Sequence, residues 1–252
     1  MRINKFIAQS GYCSRRKADE LIKYSKVCVN GKILLDLSYQ VNDGDIVEVE
    51  GKKIRKKEEK VYIAINKPVG YTSTVKDKFA DKKVVDLIKS NTRVYPIGRL
   101  DKDSHGLLIL TNDGDLTYEL THPKFEHKKV YEVLVKGKPT KNKIQELKNG
   151  IILDGYKLKK SNIEFIANVK DNTKYMVTIY EGRNRQIRKM FDYINHPVLD
   201  LKRVQIGNYK MDDNLKSGEY VLLKSKDLDL IRGKYDRSKT CKQQRRRNFK
   251  KF

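Results

Sequence analysis

Residues 107–111, LLILT, are continuously apolar, follow a dense cluster of charges, and stop at the turn signal NDG. Five residues are too few for a stable helix, and with their β-branched members they read as a buried strand. A buried strand must be covered by other elements, so this short run obliges the chain to build layers around it. The charges ahead of it pose the functional question. The stretch PIGRLDKDSHG, residues 96–106, holds Arg99, Asp101, Lys102, Asp103 and His105. One or more of these belongs either to a surface loop or to chemistry.

Length and charge bound the answers. A chain of 252 residues has room for one large or two unequal domains. Fifty-six basic against 32 acidic residues leave a net charge of +24, far more than a small-molecule substrate calls for, and the natural partner is a polyanion. Residues 232–252 carry ten lysines and arginines against one aspartate, with almost nothing aliphatic to bury, and read as a disordered basic tail for phosphate contact. No apolar segment of about 7–15 residues follows the N-terminal basic residues, and no run approaches the roughly 18 residues of a membrane span. Cys13, Cys28 and Cys241 lack metal spacing and are odd in number, so neither a disulfide framework nor a zinc site is expected. These features predict a cytoplasmic protein without a membrane attachment.

The first segment reads as a small basic module. In RINKFIAQSG, Ile3, Phe6 and Ile7 have helical spacing, and in SRRKADELI, Ser14 is a cap with Ala18, Leu21 and Ile22 as the buried stripe. Arg15, Arg16 and Lys17 then project from the first turn, where the helix dipole disfavours cations, and this points to an anion opposite them. Asn30-Gly31 within VCVNGKI signals a two-residue hairpin. After the charged linker GKKIRKKEEK the pattern becomes strand-rich, in VYIAINKP, KVYEVLVKG, YMVTIYEG and EYVLLK. Helical patterns interrupt at VVDLIKSN, KNKIQELKNG and NRQIRKMFDYIN. The expected organisation is 1–60 as the module with its linker, 61–231 as a second domain, and 232–252 as the tail.

For the charged cluster, a calcium loop fits Asp101, Asp103, His105 and Gly106 at its early positions but finds Asn112 where the bidentate glutamate belongs. A glycosidase pair from Asp101 and Asp103 has no further support in the sequence. From the residues alone, Asp101 remains divided between a capping or ion-paired loop position and a catalytic one.

Two resemblances narrow this. Residues 2–50 resemble the S4 RNA-binding domain, through RINKFIAQSGYCSRRKADELI and VCVNG. GRLDKDSHGLLILTNDG is similar to the motif of RsuA/RluB-type pseudouridine synthases, and NKPVGYTST, KKVYEVLVKG and EGRNRQIRKMF match that family in order, so the likeness spans residues 2 to about 231. It implies an α+β chain: a small S4-type RNA-binding domain followed by a mixed α/β pseudouridine synthase domain with a largely antiparallel sheet. Carried over, it makes Asp101 the catalytic aspartate, Arg99 the residue that displaces the flipped nucleotide, Tyr131 the ring stacked on the uracil, and Arg188 the ionic partner of Asp101. Ser104 stands where threonine is commoner, and the hydroxyl is kept.

The chemistry suits those residue types. Converting uridine to pseudouridine breaks the bond from C1′ to N1 and rejoins C1′ to C5, without redox or acyl transfer, so no cofactor and no metal are expected. An ionised carboxylate can attack C1′ or C6, or take a sugar proton, and a guanidinium keeps it charged. A uridine in folded RNA must first leave its stack, and a flat cation next to the nucleophile can fill the vacancy. On the helix of residues 184–195, Ile187, Met190, Phe191 and Ile194 form the core stripe and turn Arg185, Arg188 and Lys189 to another side, with Arg185 and Lys189 expected to meet phosphate. Asp113 and Gly114 are expected only to make a turn, and His105 to lie in a loop. The expected partner is ribosomal RNA, free or in an assembly intermediate, acted on by a monomer. THPKFEHKKVYEV, EGRNRQIRKMF and HPVLDLKRVQIG look more like the large-subunit (23S) branch than the small-subunit (16S) one, whose corresponding helix carries lysine in place of Arg188. The rival readings are a non-catalytic S4-type ribosome-assembly protein and a hydrolytic glycosylase that would release free base.

Overall fold

A computed structural model describes residues 1–55, 59–90 and 92–233; the basic stretch 234–252 and Cys241 lie outside the described residues. At the N-terminus, α1 (Ile3–Gln9) and α2 (Arg15–Lys23) pack on an antiparallel sheet of β1 (Val27–Val29), β2 (Lys32–Ile33), β3 (Val47–Val49) and β4 (Lys52–Ile54), in the order β2-β1-β3-β4. The anticipated spacing is realised. Ile3, Ile7, Ala18, Leu21 and Ile22 are buried with Val27, Val29, Val47 and Val49 in one core. Ser14 caps α2 by accepting the Lys17 N–H. Asn30 and Gly31 both have positive φ, 52° and 77°, the conformation a two-residue hairpin turn demands.

The rest of the chain builds a nine-stranded sheet. In sequence order it comprises β5 (Tyr62–Lys67), β6 (Tyr95–Ile97), β7 (His105–Thr111), α3 (Gly114–Thr121), β8 (Lys129–Val135) and α4 (Lys141–Asn149). A two-stranded hairpin, β9 (Ile152–Leu153) and β10 (Tyr156–Lys157), then precedes β11 (Asn162–Val169), β12 (Asn172–Ile179), α5 (Gln186–Tyr193), β13 (Val198–Ile206), β14 (Tyr209–Lys210), β15 (Tyr220–Leu222) and α6 (Ser225–Ile231). The order is β11-β12-β8-β13-β7-β5-β15, with β14 on β13 and β6 on β7. Every pairing is antiparallel except β13 with β7, which is parallel and lasts two residues: Lys202 opposite His105 and Arg203 opposite Gly106. Two antiparallel half-sheets therefore meet at one short parallel seam, and the loop carrying Asp101 enters β7 there.

The apolar run of β7 is buried as expected, and its period of two divides it between two cores. Leu108 and Leu110 join Ile63 and Ile65 of β5 in the core under α4 and α5, while Leu107 and Ile109 join Ala64 in the core under α3 and α6. Gly106 makes the seam possible. Its φ is 99°, and a Cβ there would lie 2.3 Å from the Arg203 carbonyl oxygen. Among the described residues no helix is long and apolar enough to cross a membrane.

Three sequence expectations are corrected. NDG does not turn between strands: Asp113 accepts the N–H groups of Asp115 and Leu116 and starts α3, a helix of weak apolar pattern in which only Leu116 and Leu120 are buried. His105 opens β7, with Nε2 2.9 Å from Asp200 Oδ1. Of VVDLIKSN, the described residues 84–90 hold only a single 3-10 turn, Val84–Leu87.

Because both backbone angle and space exclude a side chain, Gly106→Ala should lower the unfolding free energy by more than about 2 kcal/mol. Urea unfolding measures it; a loss below about 0.5 kcal/mol would mean that β7 and β13 separate without penalty.

Candidate functional site

The loop Leu100–Ser104 is held from below by the segment after β5. Lys67, fully buried at the end of β5, donates from Nζ to the carbonyl oxygens of Pro68 (3.0 Å), Asp101 (3.1 Å) and Ser104 (2.6 Å). Ser73 Oγ donates to the Leu100 carbonyl at 2.7 Å and accepts the Leu100 N–H at 3.1 Å. The Gly70 N–H donates to the Lys102 carbonyl at 2.7 Å. The backbone groups on both sides of Asp101 are thus fixed by groups from NKPVGYTS, while the Asp101 carboxylate remains partly exposed.

α5 closes the other side. Arg188, anticipated as the partner of Asp101, pairs instead with Asp103: its Nε lies 3.3 Å from Asp103 Oδ2, and Nη2 donates to the Asp103 carbonyl at 3.0 Å and to Ser104 Oγ at 3.2 Å. The guanidinium near Asp101 belongs to Arg185, 3.7 Å from Asp101 Oδ2 and also bonded to Asp103. The reason is helical geometry. Arg185 precedes the first turn of α5 with φ 51° and reaches across the mouth, whereas Arg188 lies one turn in and faces the loop interior. Arg188 is accordingly buried, not turned with Arg185 and Lys189 to an open face, and Lys189 pairs with Asp154. Burial disfavours the Asp103 carboxylate, but the Arg185 hydrogen bonds and the charges of Arg188 and Arg185 outweigh it, so its pKa lies below the ordinary value.

Asp101, Arg99, Tyr131 and Arg185 line one cleft of about 710 Å³, within the size range of small-ligand sites. Tyr131 of β8 is buried on its floor, and Arg99, exposed after Gly98, stands at its rim. Six cations line it, Arg99, Lys129, Lys159, Arg183, Arg185 and Arg203, against the carboxylates of Asp101, Glu126 and Glu181. This balance suits an anionic guest. Arg15, Arg16 and Lys17 are exposed on α2, away from this lining, with Lys17 paired to Glu20. Among the described residues no cluster of histidine, cysteine or carboxylates is arranged to hold a metal.

Sequence reasoning did not single out Lys67, Lys129 or Arg203, and it weighed Asp103 only as a calcium ligand or as a glycosidase partner of Asp101. For Lys67 a signal existed: a lysine that ends the buried strand YIAIN must find partners for its ammonium indoors. Burial holds Lys67 down at about 8; the charges of Asp103 and Asp101 oppose the shift and Arg203 adds to it. Burial likewise holds Lys129 at about 8, with Arg203 adding and Glu181 opposing. Between pH 8 and 10 the unfolded chain, with ordinary lysines near 10.5, keeps protons that the folded chain has released, so these lysines make stability rise with pH in that window. Tyr62, held up at about 12, acts in the opposite sense only above its ordinary 10. Lys129→Met should flatten the rise without abolishing it, since Lys67 remains; urea unfolding at pH 8 and pH 10 reads the difference, and an unchanged slope would contradict the burial of this ammonium.

Comparisons with known proteins agree with this architecture. A family model described as RNA pseudouridylate synthase matches residues 61–193, and an S4 domain model matches residues 1–47. The chain is 45% identical to ribosomal large subunit pseudouridine synthase B of Bacillus subtilis over 80% of this chain and 84% of that protein. It is 40% identical to the dual-specificity RNA pseudouridine synthase RluF of Escherichia coli over 84% of this chain and 71% of that one. A crystal structure of a pseudouridylate synthase superposes with a TM-score of 0.66 at 29% identity, covering 92% of this chain and 99% of the other.

Proposed function

The chain belongs to the RNA pseudouridylate synthase family, and on that premise we propose that it isomerises a uridine of large-subunit (23S) ribosomal RNA, with Asp101 as the reacting carboxylate. The observation that carries the assignment of Asp101 is its position: a partly exposed carboxylate on a rigidly tied loop, facing a cation-rich cleft whose floor holds an aromatic ring. The large-subunit substrate is supported by the relative from Bacillus subtilis.

The residues divide the work. The S4 module and the exposed Arg15, Arg16 and Lys17 bring in folded RNA through phosphate contacts, and residues 232–252 add further sequence-independent charge. Arg99 at the rim takes the place of the extruded uridine in the stack. Tyr131 offers its face to the base. Arg185 supplies the positive charge beside the Asp101 carboxylate, and Arg188, through Asp103 and Ser104, keeps the loop that carries it in place. The division at residues 60 and 231, action as a monomer and residence in the cytoplasm complete the proposal.

Asp101→Asn keeps the size of the side chain and removes its charge. Pseudouridine formation in transcribed 23S rRNA should vanish while RNA affinity stays within about three-fold; turnover by this variant would remove Asp101 from the chemistry. Mapping pseudouridines in both rRNAs with the wild-type chain tests the substrate, and modification confined to 16S rRNA would overturn the large-subunit assignment. Arg99→Ala should leave the salt dependence of binding nearly intact and slow the single-turnover step. If it instead made the log–log salt slope shallower by about 0.7–0.9 with an unchanged saturating rate, Arg99 would be one more phosphate contact.

A further inference from the structure

Four charged residues are buried among the described residues: Lys67, Asp113, Arg188 and Arg203. Three are answered from within the protein. Lys67 has three carbonyl oxygens, Asp113 has Lys60 and Tyr62, and Arg188 has Asp103. Arg203 is different. Its Nε donates to the Leu107 carbonyl at 2.8 Å and its buried Nη2 has no hydrogen-bond partner; Arg188 Nε also lacks a hydrogen bond but has the Asp103 carboxylate 3.3 Å away, whereas among the described residues no carboxylate lies within ion-pair distance of Arg203. The ammonium of Lys129 lines the same cleft and adds like charge. A guanidinium withdrawn from water without an anion is expensive, and the cleft it lines is where an anion can arrive.

The backbone places Arg203 with care. In the β13–β8 register it stands directly opposite Tyr131, so the two side chains leave the sheet on one face. The register shifts between Arg203 and Gln205, and Gly106 lets β7 approach the Arg203 backbone more closely than any side chain would permit. Arg203, Tyr131 and Asp101 all line the cleft.

We propose that Arg203 is a further catalytic residue, donating to a carbonyl oxygen of the target uracil and stabilising the negative charge the base acquires during isomerisation. This role rests on the functional reading above. If Asp101 bonds to C1′ or takes the C2′ proton, the C1′–N1 bond breaks with its electron pair leaving on the base, as a uracilate spread over N1 and the carbonyl oxygens. If Asp101 adds at C6, the displaced pair comes to rest on O4 as an enolate; C1′ then passes from N1 to C5, the pair of the broken C1′–N1 bond staying on N1, and Asp101 leaves C6 as C5 loses its proton. Each route loads the carbonyl oxygens. The base then turns and C5 bonds C1′ as Asp101 is released or the C2′ proton returned. C5 loses its proton and N1 gains one, so nothing is oxidised or reduced.

The test compares wild-type chain and Arg203→Met on transcribed large-subunit rRNA made with uridine or with 5-fluorouridine, whose more acidic ring carries negative charge more easily. Single-turnover formation of the C-glycosidic nucleoside is scored after nuclease digestion, as pseudouridine from uridine and, from 5-fluorouridine, whose C5 has no proton to lose, as the C-glycoside that keeps fluorine at C5 and takes up water at C6. With uridine the variant should be slowed about 100-fold or more, as when a preorganised donor to a developing anion is removed, with RNA affinity within about three-fold. With 5-fluorouridine the loss should shrink to about ten-fold or less. Equal losses on both RNAs would overturn the proposal and leave Arg203 a packing residue. Weaker binding with a shallower salt slope and an unchanged rate would make it a phosphate contact and overturn it equally. Absence of pseudouridine with the wild-type chain would overturn the functional reading itself, and this role with it. Should Arg203→Met not fold, Arg203→Lys carries the same comparison: one ammonium cannot serve both Leu107 and the base, so its loss should also be smaller on 5-fluorouridine RNA.

Discussion

The ammonium of Lys67 meets the carbonyl oxygens of Pro68, Asp101 and Ser104, and the placement of the whole site depends on that contact. A charged group at the end of a central strand would ordinarily destabilise the fold, and burial does push its pKa down to about 8. Three acceptors and the nearby Asp103 and Asp101 charges keep the ammonium tolerable there. The return is rigidity. A loop with its carbonyls pinned to a sheet holds the Asp101 backbone in place before substrate binds.

The parallel seam between β7 and β13 has a comparable role at the level of topology. An all-antiparallel sheet built from these strands would carry its apolar runs past one another without a break. Two residues of parallel pairing leave the half-sheets to meet at the entry to β7, and the cleft draws on both, with Ile97 and Ile109 from one half and Tyr131, Ile179 and Leu201 from the other. Glycine at 106 is the local condition for this, because only a residue without Cβ reaches φ 99° against the Arg203 backbone.

Charge is arranged in two tiers. Exposed cations such as Arg15, Arg16 and Arg99 remain in water, where they are screened by salt and suited to phosphate. Where a charge is buried the pairing is specific: Arg188 with Asp103 and Asp113 with the exposed Lys60, while the exposed Arg185 reaches across Asp103 towards Asp101. Net charge alone predicts the first tier and says nothing of the second.

Much was legible in the sequence because it rests on local patterns. The i, i+3, i+4 spacing of Ile3, Phe6 and Ile7, the Ser14 cap, the Asn30-Gly31 turn and the buried strand LLILT depend on neighbours a few residues away, and each formed as read. The motif around Asp101 was legible by resemblance. Where weak patterns depended on distant contacts the sequence misled: α3 exists because Asp113 caps it and Leu116 and Leu120 meet a core supplied by other segments. The pairing of Arg188 could not be read either. A helical period tells which residues share a face, but which carboxylate faces them is set by how α5 docks against a loop some 80 residues earlier, so Arg185 and Arg188 divided Asp101 and Asp103 in a way only the packed structure decides. The same holds for Lys67 and Arg203. Their types and strand positions are in the sequence, but burial with three partners for one and a sealed, unpartnered nitrogen for the other arise from the meeting of β5, β7 and β13, strands that chain order alone does not bring together.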